Sequence, residues 1–225
     1  MNKTVLLLGL PAVGKSTFSS RLKQQLPEMR QFSVRLFTQQ LMKTDTPLGR
    51  YLLENNIARP KEYMPDPVVE QIFAAFLDTV AQNAFLLIEG FPINREQYYG
   101  MERQLLRVGR TLDAVFVLED DMDLIRHRQS NRKVCLACEL KNGAGLPILP
   151  EHQVCPYCGG PLQRRPEDDP DFFEKRCRKF QDELAFISGH ISSEYLHRIT
   201  VSKADPVEYV TTWLRTHTSP SETGK

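Results

Sequence analysis

The chain has 225 residues, of which 41% are hydrophobic and 25% charged, and a formal net charge of +1. That length suits one domain with insertions, or one large lobe with two small ones, and the near-zero charge excludes a global field drawing the protein to nucleic acid or an anionic membrane. No apolar run approaches the ~20 residues of a membrane span. Met1-Asn-Lys-Thr4 is too brief a lead into the first apolar stretch for a signal peptide, so the expected setting is cytoplasmic.

The first predicted strand, 4–8, runs into Gly9-Leu-Pro-Ala-Val-Gly14-Lys15-Ser16-Thr17, which fits G-x-x-x-x-G-K-[ST] at every fixed position. Glycines let a backbone curl so that several N–H groups point at one anion. The helix predicted over 15–25 adds the positive end of its dipole. Lys15 is expected to reach the β/γ-phosphates of ATP, and Ser16 to ligate Mg²⁺. A glycine turn before an ordinary helix is the plain alternative. It does not account for strand, loop and helical spacing of Phe18 and Leu22 occurring together.

Further along, 31–34 is a weak strand candidate, 66–82 a helix, and 85–88 an apolar strand ending in Glu89-Gly90. A helix is predicted over 95–108 and a strand over 114–118, followed by Glu119-Asp120-Asp121. Near the C-terminus come a helix over 171–188, a short strand over 198–202 and a helix over 206–216, with Pro206 where its missing N–H is harmless. Apolar strands with little alternation, separated by helical patterns, predict an α/β fold with a parallel sheet covered on both faces. The stretch 217–225 lacks apolar anchors and is expected to be disordered.

The segment 134–162 differs: it is poor in helix signals and carries four of the five cysteines. Cys135-x-x-Cys138 and Cys155-x-x-Cys158 stand 16 residues apart, a spacing that predicts a structural Zn²⁺ held by four thiolates. A pair of disulfides is the alternative, and it fits a cytosolic nucleotide enzyme poorly. Four cysteines already close a tetrahedron, so His152 is expected on the surface, and Cys177 as a small side chain of a helix. Arg126, Arg128, Arg132 and Lys133 precede this module; Arg164, Arg165, Lys175, Arg176, Arg178 and Lys179 follow it. Each singly reads as a solvated charge. As a set flanking one small module they suit phosphoryl transfer, which needs cations around the moving group and exclusion of water. The aromatic interleaving of a single-strand nucleic-acid binder is sparse.

These residues together resemble the adenylate kinase family in its long form with a zinc-bearing lid. The resemblance covers nearly the whole chain. It rests on Gly9-x-Pro11-x-x-Gly14-Lys15-x-Thr17, on Glu89-Gly90-Phe91-Pro92 with Gln97 downstream, on Thr46-Pro47-Leu48-Gly49, and on Met64-Pro65-Asp66. It also rests on Arg128, Arg132, Arg165 and Arg176 at four lid and hinge positions, with Glu167-Asp168 after Arg165. Ala12 and Ser16 stand where the family usually has glycine. The resemblance implies a P-loop NTPase fold, with a parallel five-stranded sheet, an acceptor lobe and a zinc lid. It divides the chain into a core of 1–32, 83–127 and 177–216, an acceptor lobe of 33–82 and a lid of 128–176. The implied reaction is reversible phosphoryl transfer from Mg-ATP to a nucleoside monophosphate or similar small acceptor, by a monomer that needs neither nucleic acid nor membrane. Lys15, Arg132, Arg165 and Arg176 would be catalytic; Gly9, Pro11, Gly14, Ser16, Thr17, Glu89 and Arg128 would bind ATP and Mg²⁺; Gln97 would read the acceptor base.

The acceptor side departs from the family pattern. Its Ser-Thr-Gly-Asp becomes Ser33-Val34-Arg35-Leu36, its next arginine becomes Gln39, and the arginine after Phe-Pro becomes Ile93. Two arginines that would clamp the acceptor phosphate are therefore replaced, and Val34 takes the place of a threonine beside the acceptor base. Arg35 and Arg95 lie nearby as shifted substitutes or as plain surface charges. An acceptor hydroxyl would call for a carboxylate base, with Glu89 or Asp66 as candidates. The alternatives to a nucleoside monophosphate kinase are an ATP-binding sensor or partner-binding protein without efficient transfer, and a kinase of another small molecule.

Overall fold

The computed structural model describes residues 2–57, 62–138, 148–164 and 166–217. Its centre is a parallel sheet of five strands: β1 (Thr4–Gly9), β2 (Arg30–Ser33), β3 (Leu86–Glu89), β4 (Ala114–Glu119) and β5 (Leu196–Thr200), in the order β2-β3-β1-β4-β5. Leu6 pairs with Ile88 on one side and Val115 on the other. The central strands β1 and β3 are buried along their whole length. That follows from their sequences, which carry apolar side chains toward both faces.

Eight α-helices are described: α1 (Lys15–Gln25), α2 (Val34–Leu41), α3 (Pro47–Glu54), α4 (Asp66–Leu77), α5 (Arg95–Arg107), α6 (Met122–Asn131), α7 (Pro170–His190) and α8 (Pro206–His217). Two apolar cores lie on opposite faces of the sheet. Phe32, Phe73, Phe76 and Phe91 join Leu6, Ile88 and Val117 in one; Phe18, Leu22, Phe116, Val210 and Trp213 join Val5 and Leu7 in the other. Each fully buried aliphatic or aromatic side chain contributes roughly 1.5–3 kcal/mol. The first core includes T-shaped contacts of Phe32 with Phe73 and Phe91 at 4.8 and 5.6 Å.

Helix starts follow side-chain caps. Thr46 Oγ1 accepts from Gly49 N at 3.0 Å, Asn94 Oδ1 from Gln97 N at 2.8 Å, Asp121 Oδ1 from Asp123 N at 2.8 Å and Asp169 Oδ1 from Phe172 N at 3.1 Å. Each satisfies an orphan donor of a first turn. α2, α3 and α6 have no counterpart in the predicted elements. The first two are only eight residues long, and the helical pattern is weak in so short a window.

Three of the boundaries that differ from expectation have a visible cause. α4 stops at Leu77 rather than running to 82, because the carbonyls of Ala81, Gln82 and Ala84 bond the buried Arg110 guanidinium at 2.8–3.0 Å. β5 lies two residues earlier than predicted, since Lys203 and Ala204 donate to Thr200 O in a turn. α8 runs through His217, whose ring stacks on Trp213 at 4.7 Å, so that residue belongs to the helix and not to a tail; 218–225 lies outside the described residues.

Close helix packing makes Gly49 obligatory. A Cβ there would meet Leu41 O at 2.3 Å and Thr44 O at 2.8 Å. Gly49→Ala is expected to destabilise the protein by about 1–3 kcal/mol, read as a lower midpoint in urea unfolding.

Among the described residues, no helix is long and apolar enough to cross a membrane.

Candidate functional site

In the order β2-β3-β1-β4-β5 the chain crosses from β3 to β4 over β1, so a crevice opens beyond the carboxyl ends of β1 and β3. The loop after β1 fills it. Gly9 and Gly14 take φ of 153° and 115°, and Ala12 adopts the left-handed region at φ 65°. At Gly9 a Cβ would lie 2.8 Å from Leu118 O and 2.9 Å from Val13 Cγ1, so the loop also needs glycine for space. α1 begins without a side-chain cap. Its first amides are left for an anion at the positive end of the helix.

Lys15 Nζ folds back on the loop and donates to Gly9 O at 2.5 Å and Leu10 O at 2.9 Å. Burial lowers its pKa to about 8, opposed by attraction to Glu89 and reinforced by repulsion from Arg176. Across the crevice, Glu89 ends β3, paired in register with Leu7 of β1 and Ser33 of β2. Its carboxylate accepts from Ser16 Oγ at 3.2 Å, Ser19 Oγ at 2.7 Å and Gln31 Nε2 at 2.7 Å. Ser16, the expected metal ligand, and Glu89, the expected metal-positioning carboxylate, are therefore in direct contact. Pro11 is buried and Thr17 is exposed.

The arginines sort differently from one another. Arg132 Nε donates to Asp168 Oδ2 at 2.9 Å, and its NH2 group bonds the other oxygen of the same buried carboxylate. This bidentate pair joins the two ends of the inserted segment. Arg176 and Arg132 both act electrostatically on Lys15. Burial, with Arg132 nearby, depresses the Arg176 pKa. Arg128 instead pairs with Asp120 at 2.7 Å. Arg165 lies outside the described residues.

On the acceptor side, Gln97 is buried and its amide is engaged within the protein. Nε2 donates to Asp66 Oδ1 at 2.7 Å and Oε1 accepts from Ile93 N at 3.0 Å. Val34 and Phe37 pack on the apolar core, and Gln39 and Ile93 are partly buried. The Arg95 guanidinium lies 4.8 Å over the Phe186 ring, and Arg35 is partly buried in the first turn of α2.

In the inserted segment, antiparallel bridges Val134–Gln163 and Val154–Pro161 bring the two cysteine knuckles together. Gly159, at φ 70°, closes the second knuckle, where Gly159 N donates to Cys155 O and Cys155 N to Gly160 O, both at 2.8 Å. The four sulfurs lie within 4.8 Å of one another, with Cys135–Cys158 and Cys138–Cys155 at 3.6 Å. Tetrahedral Zn–S bonds of about 2.3 Å place sulfurs about 3.8 Å apart, so the donor set fits zinc. A disulfide needs about 2.05 Å. His152 stands apart from the sulfurs, its Nδ1 3.3 Å from Leu149 O. Cys177 is buried in α7.

Three residues of the crevice were not singled out in the sequence. Ser19 lies one helical turn after Ser16, a spacing that could have revealed it. Gln31 meets Glu89 only through strand pairing. Glu183 is a buried acid on the face of α7 that carries Phe173, Cys177 and Ile187; its signal was a charge within an apolar stripe.

No family model matches the chain. Among curated proteins it is similar to an adenylate kinase of Caldicellulosiruptor bescii, 30% identical over 183 residues, which is 76% of this chain and 79% of the relative. The chain belongs to the adenylate kinase family. The adenylate kinases of Geobacter sulfurreducens, at 27% identity over 212 residues, and Streptomyces coelicolor, at 28% over 209 residues, each align with 92% of this chain. Those alignments cover 93% and 94% of the relatives, so the similarity reaches through loop, inserted segment and sheet alike. Nucleotide phosphoryl transfer is the activity of this family, and the parallel sheet and phosphate loop are its P-loop fold.

Proposed function

We propose that the protein transfers the γ-phosphoryl group of Mg-ATP reversibly to a nucleoside monophosphate whose pocket differs from that of its relatives. The juxtaposition of Lys15, Ser16 and Glu89 at the ends of β1 and β3 carries this reading. Lys15 and the uncapped amides of α1 hold the β/γ-phosphates, and Gly9, Pro11 and Gly14 shape their cradle. Ser16, with Thr17 behind it, and Glu89 hold the metal or its water. Mg²⁺, when bound, neutralises charge developing on the phosphate oxygens. Arg132 and Arg176 meet the moving group, Arg165 takes the same role by the family resemblance, and Arg128, in the last turn of α6, serves the donor. An acceptor phosphate is already a nucleophile, so no general base is needed; positioning and electrostatics do the chemistry.

In this reading 33–82 is the acceptor lobe and 128–176 a lid around a structural Zn²⁺. α7 runs unbroken across the boundary between lid and core. A monomer in the cytoplasm is the setting that goes with it.

Gln39 and Ile93 each replace a charge-assisted phosphate contact worth about 1.5–3 kcal/mol. Gln97 would have to leave Asp66 and Ile93 N to read a base. These observations favour a second reading, an ATP-binding sensor or a kinase of another small molecule.

Measuring ATP consumption against a panel of nucleoside monophosphates separates the readings. Turnover with at least one of them, at a KM raised well above that for ATP, is expected. Tight ATP binding with no turnover on any member would reject the transfer reading in favour of the second.

A further inference from the structure

Glu183 of α7 lies near enough to Lys15 that each charge acts on the other. It is 7% exposed, and its Oε1 is buried with no hydrogen-bond partner among the described residues. The groups acting on it are Lys15 from α1 and Lys179 from α7, and it acts in turn on Tyr63, which precedes α4. Lys15 is further surrounded by Glu89 of β3, Arg176 of α7 and Arg132 at the end of α6. A buried carboxyl oxygen without a partner beside so polar a cluster calls for an explanation, and a phosphoryl oxygen held at Lys15 would supply the missing partner.

We propose that Glu183 is an additional phosphate-binding residue of this site, a neutral carboxyl that donates its O–H to a phosphoryl oxygen held at Lys15. The inference rests on the reading that the Lys15 loop holds the phosphates of ATP. Burial, opposed by the two lysines, pushes the Glu183 carboxyl up to about 8. At neutral pH it therefore carries its proton and is a donor. Once ionised it is an acceptor only, and it repels polyphosphate and competes with it for Lys15.

Phosphate binds the protonated form, so affinity is full below pH 8. Above it, affinity falls toward tenfold per pH unit for each proton that must be taken up. Lys15 also loses its proton near pH 8, with the Glu183 charge helping to hold it, so the informative quantity is the ratio between wild type and Glu183→Gln, which share that lysine and differ only in the group beside it. The amide retains a donor and cannot ionise.

The test is calorimetric binding of ATP, and of inorganic triphosphate, to the full chain from pH 6.5 to 9. Wild type, Glu183→Gln and Glu183→Leu are compared, with Lys15→Met as control and thermal melting to verify folding. At pH 7 a loss of about threefold is expected for glutamine and about tenfold or more for leucine. Between pH 7 and 9 the wild-type affinity should fall relative to Glu183→Gln by about tenfold. A wild-type to glutamine ratio that stays flat across this range overturns the proposal, as does leucine binding both ligands like wild type. If the wild type binds ATP but the ratio is flat, only the role of Glu183 fails; if it binds no ATP, the phosphate-loop reading fails with it.

Discussion

Lys15→Met is expected to lower phosphoryl transfer by about 10²–10³-fold or more, and to weaken ATP binding, without loss of the fold. Removing one preorganised donor from a developing oxyanion costs about that much in other enzymes, and Lys15 brings a full charge as well. Its present partners are two loop carbonyls, Gly9 O and Leu10 O. ATP offers a stronger one, so the side chain has only to rotate from carbonyl to phosphate. Burial has lowered its pKa to about 8 against the attraction of Glu89. Wild-type ATP affinity should therefore fall as pH rises through 8 and the ammonium loses its proton, and Lys15→Met should lack that part of the decline. Steady-state rates with saturating acceptor and calorimetric ATP binding, both across pH 6.5–9, measure the two effects. A methionine variant with wild-type turnover would remove the phosphate loop from the mechanism.

Stripping the metal from the cysteine cluster is expected to unfold the inserted segment while the sheet stays folded. Among the described residues, that cysteine cluster has Cys135, Cys138 and Cys155 buried, with Ile148 and Leu162 packed against them. That is too little apolar burial to hold a fold. Zinc bound by four thiolates supplies free energy on the order of 10–16 kcal/mol in small zinc modules, enough to replace a missing core. Elemental analysis should find one Zn²⁺ per chain. A strong chelator, or Cys138→Ala, should remove it and expose the segment to proteolysis. Transfer should fall at least about tenfold, because Arg132 and Asp168 join the ends of this segment and Arg132 faces the Lys15 cluster. ATP binding through the loop should survive in large part. Full activity in protein shown to be metal-free would reject a structural zinc lid.

The phosphate loop, the three apolar strands after 4, 85 and 114, and the paired C-x-x-C knuckles are local patterns, and each lies where it was read. Local signals suffice there because consecutive residues decide them: glycines at fixed offsets, buried β-runs, two thiols on one turn. α2, α3 and α6 were less legible. They are short, and their existence depends on caps such as Thr46 and Asp121 and on burial against neighbouring elements.

Sequence by itself determined the class of this protein: an α/β P-loop chain of the adenylate kinase family with four clustered cysteines. Only the tertiary structure decided which polar groups share the crevice. Strand order set Glu89 beside Ser16 and Gln31, residues 73 and 58 positions away. Helix packing turned Glu183 toward Lys15, and strand–helix docking tied Gln97 to Asp66 and Ile93 N. Those contacts join segments far apart in the chain, and they arise from sheet topology and burial, which no run of neighbouring residues encodes.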